Sequence, residues 1–320
     1  MKKRILIILS LIFICAGIAL AAAGKAKGGS FGWRFSFNDF KVISGSENYI
    51  TETVKTGAFS KIVVDTSTID VNITKGNEYA VSYYLPEDKK PEIKEEGGVL
   101  TIKGYENNSW TIFDFSFINS SENSYINVTV PDDTTVKLVD IKSSTADIKI
   151  GSLNIDGSIS TSTGDIRLDD NKMGNMVFTV STGDITIHNC DIESLETKSS
   201  TGEVKIEKCV IAGNYISKTS TGDVSVTDSE LGRLTLNGST SDVTVTSSSI
   251  ANIKLETSTG DIKLGLLGKE DDYSTEIHTS TGDIKINGEE YEKKYKKVSA
   301  GIDSININTS TGDVDIDFGK

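Results

Sequence analysis

A segment reading Ser-Thr-Gly-Asp, followed by apolar, any, apolar, recurs along this chain and constrains its fold more than any other feature. It is intact at Ser162–Asp165, Ser181–Asp184, Ser220–Asp223, Ser258–Asp261, Ser280–Asp283 and Ser310–Asp313. Variants stand at Ser67–Asp70, Ser144–Asp147, Ser200–Glu203 and Ser239–Asp242, with Ile69, Ala146 and Ser241 replacing Gly and Glu203 replacing Asp. From 147 to 313 the acidic residues are 18, 19, 19, 20, 19, 19, 22 and 30 residues apart. Self-similarity at such a period is the mark of a stacked repeat, in which each unit buries its apolar side only against its neighbours.

Taking the acidic residue as zero, positions +1 and +3 are apolar in all ten copies, from Val71/Ile73 to Val314/Ile316. That alternation of β-branched residues describes a strand with one buried face. A second apolar pair lies at −8 and −6, as in Ile62/Val64, Val139/Ile141 and Leu234/Leu236, and is worn down to Leu195/Thr197 and Tyr215/Ser217. A third inward contact is expected near −11, at Met173, Ile192, Leu231, Ile250 and Ile302. About five buried aliphatics per coil, at about 1.5–3 kcal/mol each, do not offset the ordering of nineteen residues at about 1.5 kcal/mol each. The coils must therefore stack. The expected fold is all-β: a single-stranded parallel β-solenoid (β-helix) with coils of about 19 residues, preceded by an N-terminal transmembrane or signal helix.

At −1, Gly either supplies a positive φ at a corner or allows close backbone approach. Ile69 speaks against an obligatory positive φ, so the expectation is a pinched strand following a corner near −5 to −3. The column of carboxylates is self-repelling. Hydroxyls and amides of the turn, or the basic residues at +2 (Lys149, Arg167, Lys205, Lys263 and Lys285), would offset this. Calcium wants six to eight oxygens, and each coil offers one carboxylate, so no metal site and no cofactor is expected.

Residues 1–30 read as a membrane anchor or export signal. Lys2, Lys3 and Arg4 precede an uncharged run from Ile5 to Ala23, and the basic end marks the cytoplasmic side. The expected location is the cell membrane, through a single-pass anchor with the domain outside the cytoplasm; secretion after cleavage is the alternative. Residues 31–140 read as degenerate coils and a cap. Phe31, Trp33, Phe35, Phe37 and Phe40 form a capping strand or a patch at the lipid interface, and Phe113, Phe115 and Phe117 alternate as core or surface. The distance from Asp70 to Asp147 fits four periods, with strands expected at 79–85, 99–103, 110–117, 126–130 and 136–141. Residues 141–320 are the regular repeats, with charged insertions at Gly268–Ser274 and Glu289–Lys297, the latter a loop or short helix.

The run from Ile62 to Thr68, the strand from Ile126 to Pro131 and the serial S-T-G-D-[IV]-x-[IV] coils resemble the toast-rack family, bacterial envelope proteins catalogued as putative adhesins with a domain of unknown function. The resemblance covers roughly residues 40–320 and implies a single-layer β-solenoid behind an N-terminal membrane segment. It brings no established catalytic residues. Some relatives are linked to envelope-stress signalling, which implies a membrane-anchored accessory or sensor as the second functional reading.

Candidate chemistry is sparse. His188 and His278 stand in different registers with no nucleophile or metal-ligand spacing beside them. Asp169-Asp170 and Asp271-Asp272 are adjacent pairs whose side chains diverge on a strand, which disfavours a polysaccharide-cleaving enzyme. Cys190 and Cys209 share one column, which Ser229 and Ser248 continue, and whether the cysteines form a disulfide is left open by spacing alone. Threonines at −4 and −2 would make two outward hydroxyl rows beside the carboxylates. The candidate binding face is therefore Thr161, Thr163, Asp165, Asp184, Thr219, Thr221, Asp223, Thr257, Thr259, Asp261, Thr279, Thr281 and Asp283. Such T-x-T rows suit ice-binding solenoids, but Val180, Ser199 and Gly238 interrupt the first row. A net charge of −13 leaves no footprint for nucleic acid. The expected function is a non-catalytic adhesin-like or scaffolding module that contacts a cell-wall polymer or envelope protein.

Overall fold

The computed structural model describes residues 33–36, 41–44, 48–105, 124–132 and 134–319. The anchor or signal at 1–30, Phe31, Phe37 and Phe40, and the aromatic run at 113–117 lie outside the described residues. Trp33 and Phe35 are described by backbone alone. Among the described residues no helix is long and apolar enough to cross a membrane.

The described residues divide into two compact units: 33–36, 41–44, 48–50 and 85–89 in one, and 51–84, 90–105, 124–132 and 134–319 in the other. In the first, Trp33–Ser36 pairs antiparallel with Lys41–Ser44, and the Glu87 amide donates to the Asn48 carbonyl at 2.9 Å.

The second unit is built from coils whose strands pair in parallel with the equivalent strands of neighbouring coils. A short strand carries +1 to +4, as Ile166–Asp169, Ile185–His188 and Val204–Glu207. A longer one runs up to −2, as Lys172–Thr182 and Asp191–Thr201. Equivalent residues face one another from coil to coil, so that Ile166 pairs Ile185 and Ile185 pairs Val204. Every +1 and +3 side chain is at most 3% exposed. The −8/−6 side chains are equally closed, and three polar ones among them pair internally: Thr197 Oγ1 lies 3.3 Å from the Tyr215 hydroxyl and 3.2 Å from Ser217 Oγ.

The regular coils have two corners. One begins at −3, which the coil-to-coil pairing skips, and ends at 0, before Ile166 starts the next strand; it touches only the end of the −5 to −3 span that the sequence led us to expect and runs on past it. Six of the glycines at −1 have φ of 123–148°. A Cβ on any of the seven would lie 2.0–2.2 Å from a carbonyl oxygen of the adjoining coil, so positive φ and close approach both operate. Where −1 holds Ile69, Ala146 or Ser241, the side chain is buried and the backbone does not enter that region. The second corner is at +5, where Ser152, Asp170, Asn189, Lys208, Asp228 and Ser247 take φ of 47–61°.

The stacking order departs from the chain order at both ends. Lys61–Thr66 pairs with Leu138–Thr145 on one side and with Val99–Lys103 on the other. Asp70 and Asp147 therefore lie on adjacent coils, and the four-period reading of the interval between them is wrong. Its strands reverse instead: residues 80–84 run antiparallel to 125–129, and Glu92–Glu96 runs antiparallel to Val99–Lys103. At the other end, Asp303–Thr311 inserts between Val243–Thr259 and Tyr273–Thr281. The insertion at 289–297 is neither loop nor short helix. Glu289–Tyr291 and Lys294–Lys297 are strands antiparallel to Ile284–Ile286 and Tyr273–Thr281. Short, charged strands blunt a sheet end against further pairing. Ile302, expected inside, is 96% exposed because it precedes the inserted strand on the returning loop.

Candidate functional site

The corner from −3 to 0 carries the residues singled out in the sequence. Alternation inward at −8 and −6 continues to −4, so Thr161, Thr219, Thr257 and Thr279 are at most 7% exposed. The outward −4 row is thereby overturned, and with it the T-x-T lattice. These hydroxyls fasten the corner from inside. Thr161 Oγ1 donates to the Thr163 carbonyl at 2.9 Å, Thr219 Oγ1 to that of Gly222 at 3.2 Å, and Thr279 Oγ1 to that of Gly312 at 3.1 Å.

Beyond −4 the chain turns, and both −3 and −2 face outward. Position −3 is Ser and −2 is Thr in all ten coils, and all twenty are exposed. Thr163, Thr221, Thr259 and Thr281 belong to this row. Thr163 pairs in register with Thr182, Thr182 with Thr201, and Thr201 with Thr221. Among the described residues none of these side-chain hydroxyls bonds within the chain. Neighbouring rungs of such a ladder are about 4.8 Å apart.

Asp165, Asp184, Asp223, Asp261 and Asp283 are exposed next to this row. Their repulsion is offset by backbone amides. The Asp165 amide donates to Asp147 Oδ1 at 3.0 Å, that of Asp184 to Asp165 at 2.8 Å, and that of Glu203 to Asp184 at 2.7 Å. The ladder continues through Asp242, Asp261 and Asp313 to Asp283, whose own Oδ1 accepts Lys293 Nζ at 3.2 Å. Among the described residues it skips the step from Glu203 to Asp223, where the interval is 20 residues. Three of the +2 cations serve other partners: Arg167 bonds Asp169 at 2.7 Å, Lys205 lies 3.3 Å from Glu207, and Lys285 lies 3.4 Å from Glu290. The Lys205 ammonium holds the Glu207 carboxyl below the usual carboxylate range.

Of the inner column after the second corner, the sequence showed Cys190, Cys209, Ser229 and Ser248 in one register but not Asn171, which precedes them in it. Asn171, Cys190, Cys209, Ser229 and Ser248 are all buried. The Leu153 amide donates to Asn171 Oδ1 at 2.9 Å, the Asn171 amide to Cys190 Sγ at 3.3 Å, and the Cys209 amide to Ser229 Oγ at 3.0 Å. Both cysteines are free. Their mutual hydrogen bond and burial push the Cys190 thiol up. The common spacing of small polar residues was the available signal.

The other candidates do not converge. His188 Nδ1 lies 3.6 Å from Asp169, and His278 Nδ1 lies 3.2 Å from the Lys293 carbonyl. Asp170 bonds Asn189, and Asp271 bonds Lys297 at 2.7 Å. Among the described residues no group of three His, Cys, Asp or Glu is arranged to hold a metal ion.

Fold and site together define an all-β stacked-coil repeat domain with a continuous hydroxyl–carboxylate edge. The chain matches the sequence profile described as Toastrack DUF4097 over residues 59–317 and belongs to that family. Among solved structures it resembles a putative lipid binding protein from Parabacteroides distasonis at 15% identity, covering 86% of this chain and 98% of that one with a TM-score of 0.52. A putative adhesin from the same species matches at 15% identity over 85% and 98%, also with a TM-score of 0.52. A putative adhesin from Bacteroides fragilis matches at 13% identity over 85% and 98%, with a TM-score of 0.47. No curated protein matches the chain in sequence.

Proposed function

We propose that this chain is a non-catalytic adhesin-like or scaffolding module of the bacterial cell envelope. In this reading the N-terminal segment holds it at the membrane, and the Ser–Thr–Asp edge contacts a cell-wall polymer or envelope protein. The likeness to the putative adhesin from Parabacteroides distasonis supports the adhesin class. The observation that carries the reading is the unbroken exposed Ser–Thr pair at −3 and −2. At −4, where the hydroxyl has a structural task, the residue varies through Thr, Ser, Val and Gly. At −2, where no internal partner holds it, Thr never varies. Repetition turns one weak hydroxyl contact into many simultaneous ones, and affinity then comes from effective concentration.

The test is pull-down of purified chain against isolated wall polymers and envelope proteins. Replacing Thr163, Thr182, Thr201 and Thr221 together by Val removes the central hydroxyls on exposed strand positions that tolerate Val. Binding is expected to fall steeply while the melting temperature holds. Undiminished binding by that variant, or no capture by the parent chain, would refute the edge as the contact surface.

A further inference from the structure

The outward face of the long strands carries one charge arrangement that stability does not account for. Along the −5 column, charged residues elsewhere have neutral or opposite neighbours: Lys142 lies between Asp65 and Ser160, and Glu256 between Asn237 and Asn308. Lys198 and Lys218 break that rule by pairing in register on adjacent coils. Both reach one carboxylate, with Nζ of Lys218 at 3.0 Å and of Lys198 at 3.3 Å from Glu196 Oε1. One negative charge is shared by two positive ones, on a chain whose net charge is −13. Either lysine alone would complete the pair. Exposed ion pairs contribute little to stability, and like charges in register oppose it.

These lysines line an open groove of about 430 Å³ that spans four coils. Ser181, Ser200 and Ser220 of the −3 row line it too. Between the two rows the −4 side chains of Val180, Ser199 and Thr219 are buried, so the floor is backbone. A surplus ammonium beside a line of hydroxyl donors matches an anionic oxygen group attached to a hydroxyl-rich chain.

We propose that this groove is a subsite for a carboxylate or phosphodiester carried on a polymer laid across the coils. The inference rests on the binding reading above, because Ser181, Ser200 and Ser220 belong to both surfaces, and it narrows the partner from a polymer to a polyanion. The two anionic groups share one recognition chemistry, so their source is decided by the probe.

The experiment titrates the full chain with polygalacturonate, with poly(glycerol phosphate) and with neutral dextran of matched length. Lys198→Gln/Lys218→Gln is compared with Lys254→Gln, which removes a cation from the same sheet face outside the groove. We expect one or both polyanions to bind in a salt-sensitive manner and more tightly than dextran. The double variant loses about tenfold or more in affinity, equivalent to about 1.4 kcal/mol, and the control stays within about twofold of the parent. Melting temperatures confirm that both variants fold. Polyanion binding unaffected by the double substitution overturns the subsite. Dextran bound as tightly as the polyanions, and released by the four Thr→Val changes, overturns the subsite and leaves the hydroxyl edge standing. Failure of every chain to bind any polymer, wall preparations and envelope proteins included, overturns both.

Discussion

The backbone amide of Asp313 donates to Oδ1 of Asp261 at 2.9 Å across 52 residues of chain. The next amide in that ladder belongs to Asp283, which precedes Asp313 in sequence and donates to Asp313 Oδ1 at 2.9 Å. The coil of Asp313, which follows that of Asp283 in sequence, therefore lies inside it in the stack. A parallel stack needs long connections between neighbours, whereas an antiparallel strand pair lets the chain reverse within a few residues. Both ends use that reversal and then return to fill the slot left behind.

Truncation after Val298 follows directly from this order. It removes a coil from inside the stack and leaves two unpaired parallel edges facing each other across a gap of two strand spacings, about 9.6 Å. The segment from Tyr273 to Lys297 is expected to lose protection, and the shortened chain to self-associate through its open edges. Limited proteolysis read by mass spectrometry, with size-exclusion chromatography, checks both. A truncated monomer that still protects Tyr273–Lys297 would show that the inserted coil does not hold the outer one.

The carboxylate ladder predicts opposite signs for two substitutions. Asp184→Ala removes the acceptor of the Glu203 amide, a charge-assisted bond of 2.7 Å, and should cost about 1.5–3 kcal/mol. Glu203→Asp shortens the side chain at the skipped step and should allow the Asp223 amide to be accepted, adding about 0.5–1.5 kcal/mol. Denaturant melts of the two variants measure this. A destabilised Glu203→Asp would mean that the extra residue in that 20-residue interval, not the side-chain length, breaks the ladder.

Much of the coil was legible because the period-2 pattern is enforced by burial. Val71/Ile73 and its nine counterparts were placed inside by alternation alone, and all are. The same rule, followed from Tyr215 and Ser217 one step further, puts Thr219 inside, and reading −4 and −2 as one face ignored the turn between them. What sequence could not give was stacking order. Every coil offers the same column of aliphatics and the same Asp, so Asp70 fits beside Asp147 as well as beside any other copy. The choice is made by the antiparallel strands at each end, whose charged residues carry no repeat signature. The +6 column was visible as Cys190, Cys209, Ser229 and Ser248, but Asn171 was left out of it, because it looks unlike a thiol or a serine and yet is interchangeable with them as a small acceptor for an amide from the preceding coil.

The two threonines of the Thr279–Thr281 coil separate structural from surface roles. Thr279 is 0% exposed and its hydroxyl donates to the Gly312 carbonyl. Thr279→Val leaves that inward bond unmade and should cost about 1–3 kcal/mol. Thr281 sits on the exposed row, where Val is a comparable strand former, so Thr281→Val should change stability by no more than about 0.5 kcal/mol. Thermal melts of the pair test the assignment, and equal losses would contradict the burial alternation on which the edge is defined.

The hairpin covering the outermost coil is held by titratable groups, which fixes its pH window. Glu270 accepts Lys297 Nζ at 2.9 Å and the Tyr295 hydroxyl at 2.9 Å. Lys297, with a smaller contribution from Tyr295, holds the Glu270 carboxyl below the usual carboxylate range. A depressed folded value means stability that is present above the ordinary Glu pKa of about 4.3 and is lost as pH falls through the folded value. Tyr295 is pushed up to about 12 by burial first and then by its bond to Glu270. A raised folded value means stability fully present below the ordinary Tyr pKa of about 10 and lost as pH rises through about 12. Hydrogen exchange at Lys294–Lys297 should therefore be slowest between these limits after correction for intrinsic rates, and should accelerate on both sides. Glu270→Gln should abolish the acid-side change and raise the opening rate in the middle of the range. A variant with the parent's acid limb would place the responsible carboxylate elsewhere, with Asp271, which also bonds Lys297, the next to replace.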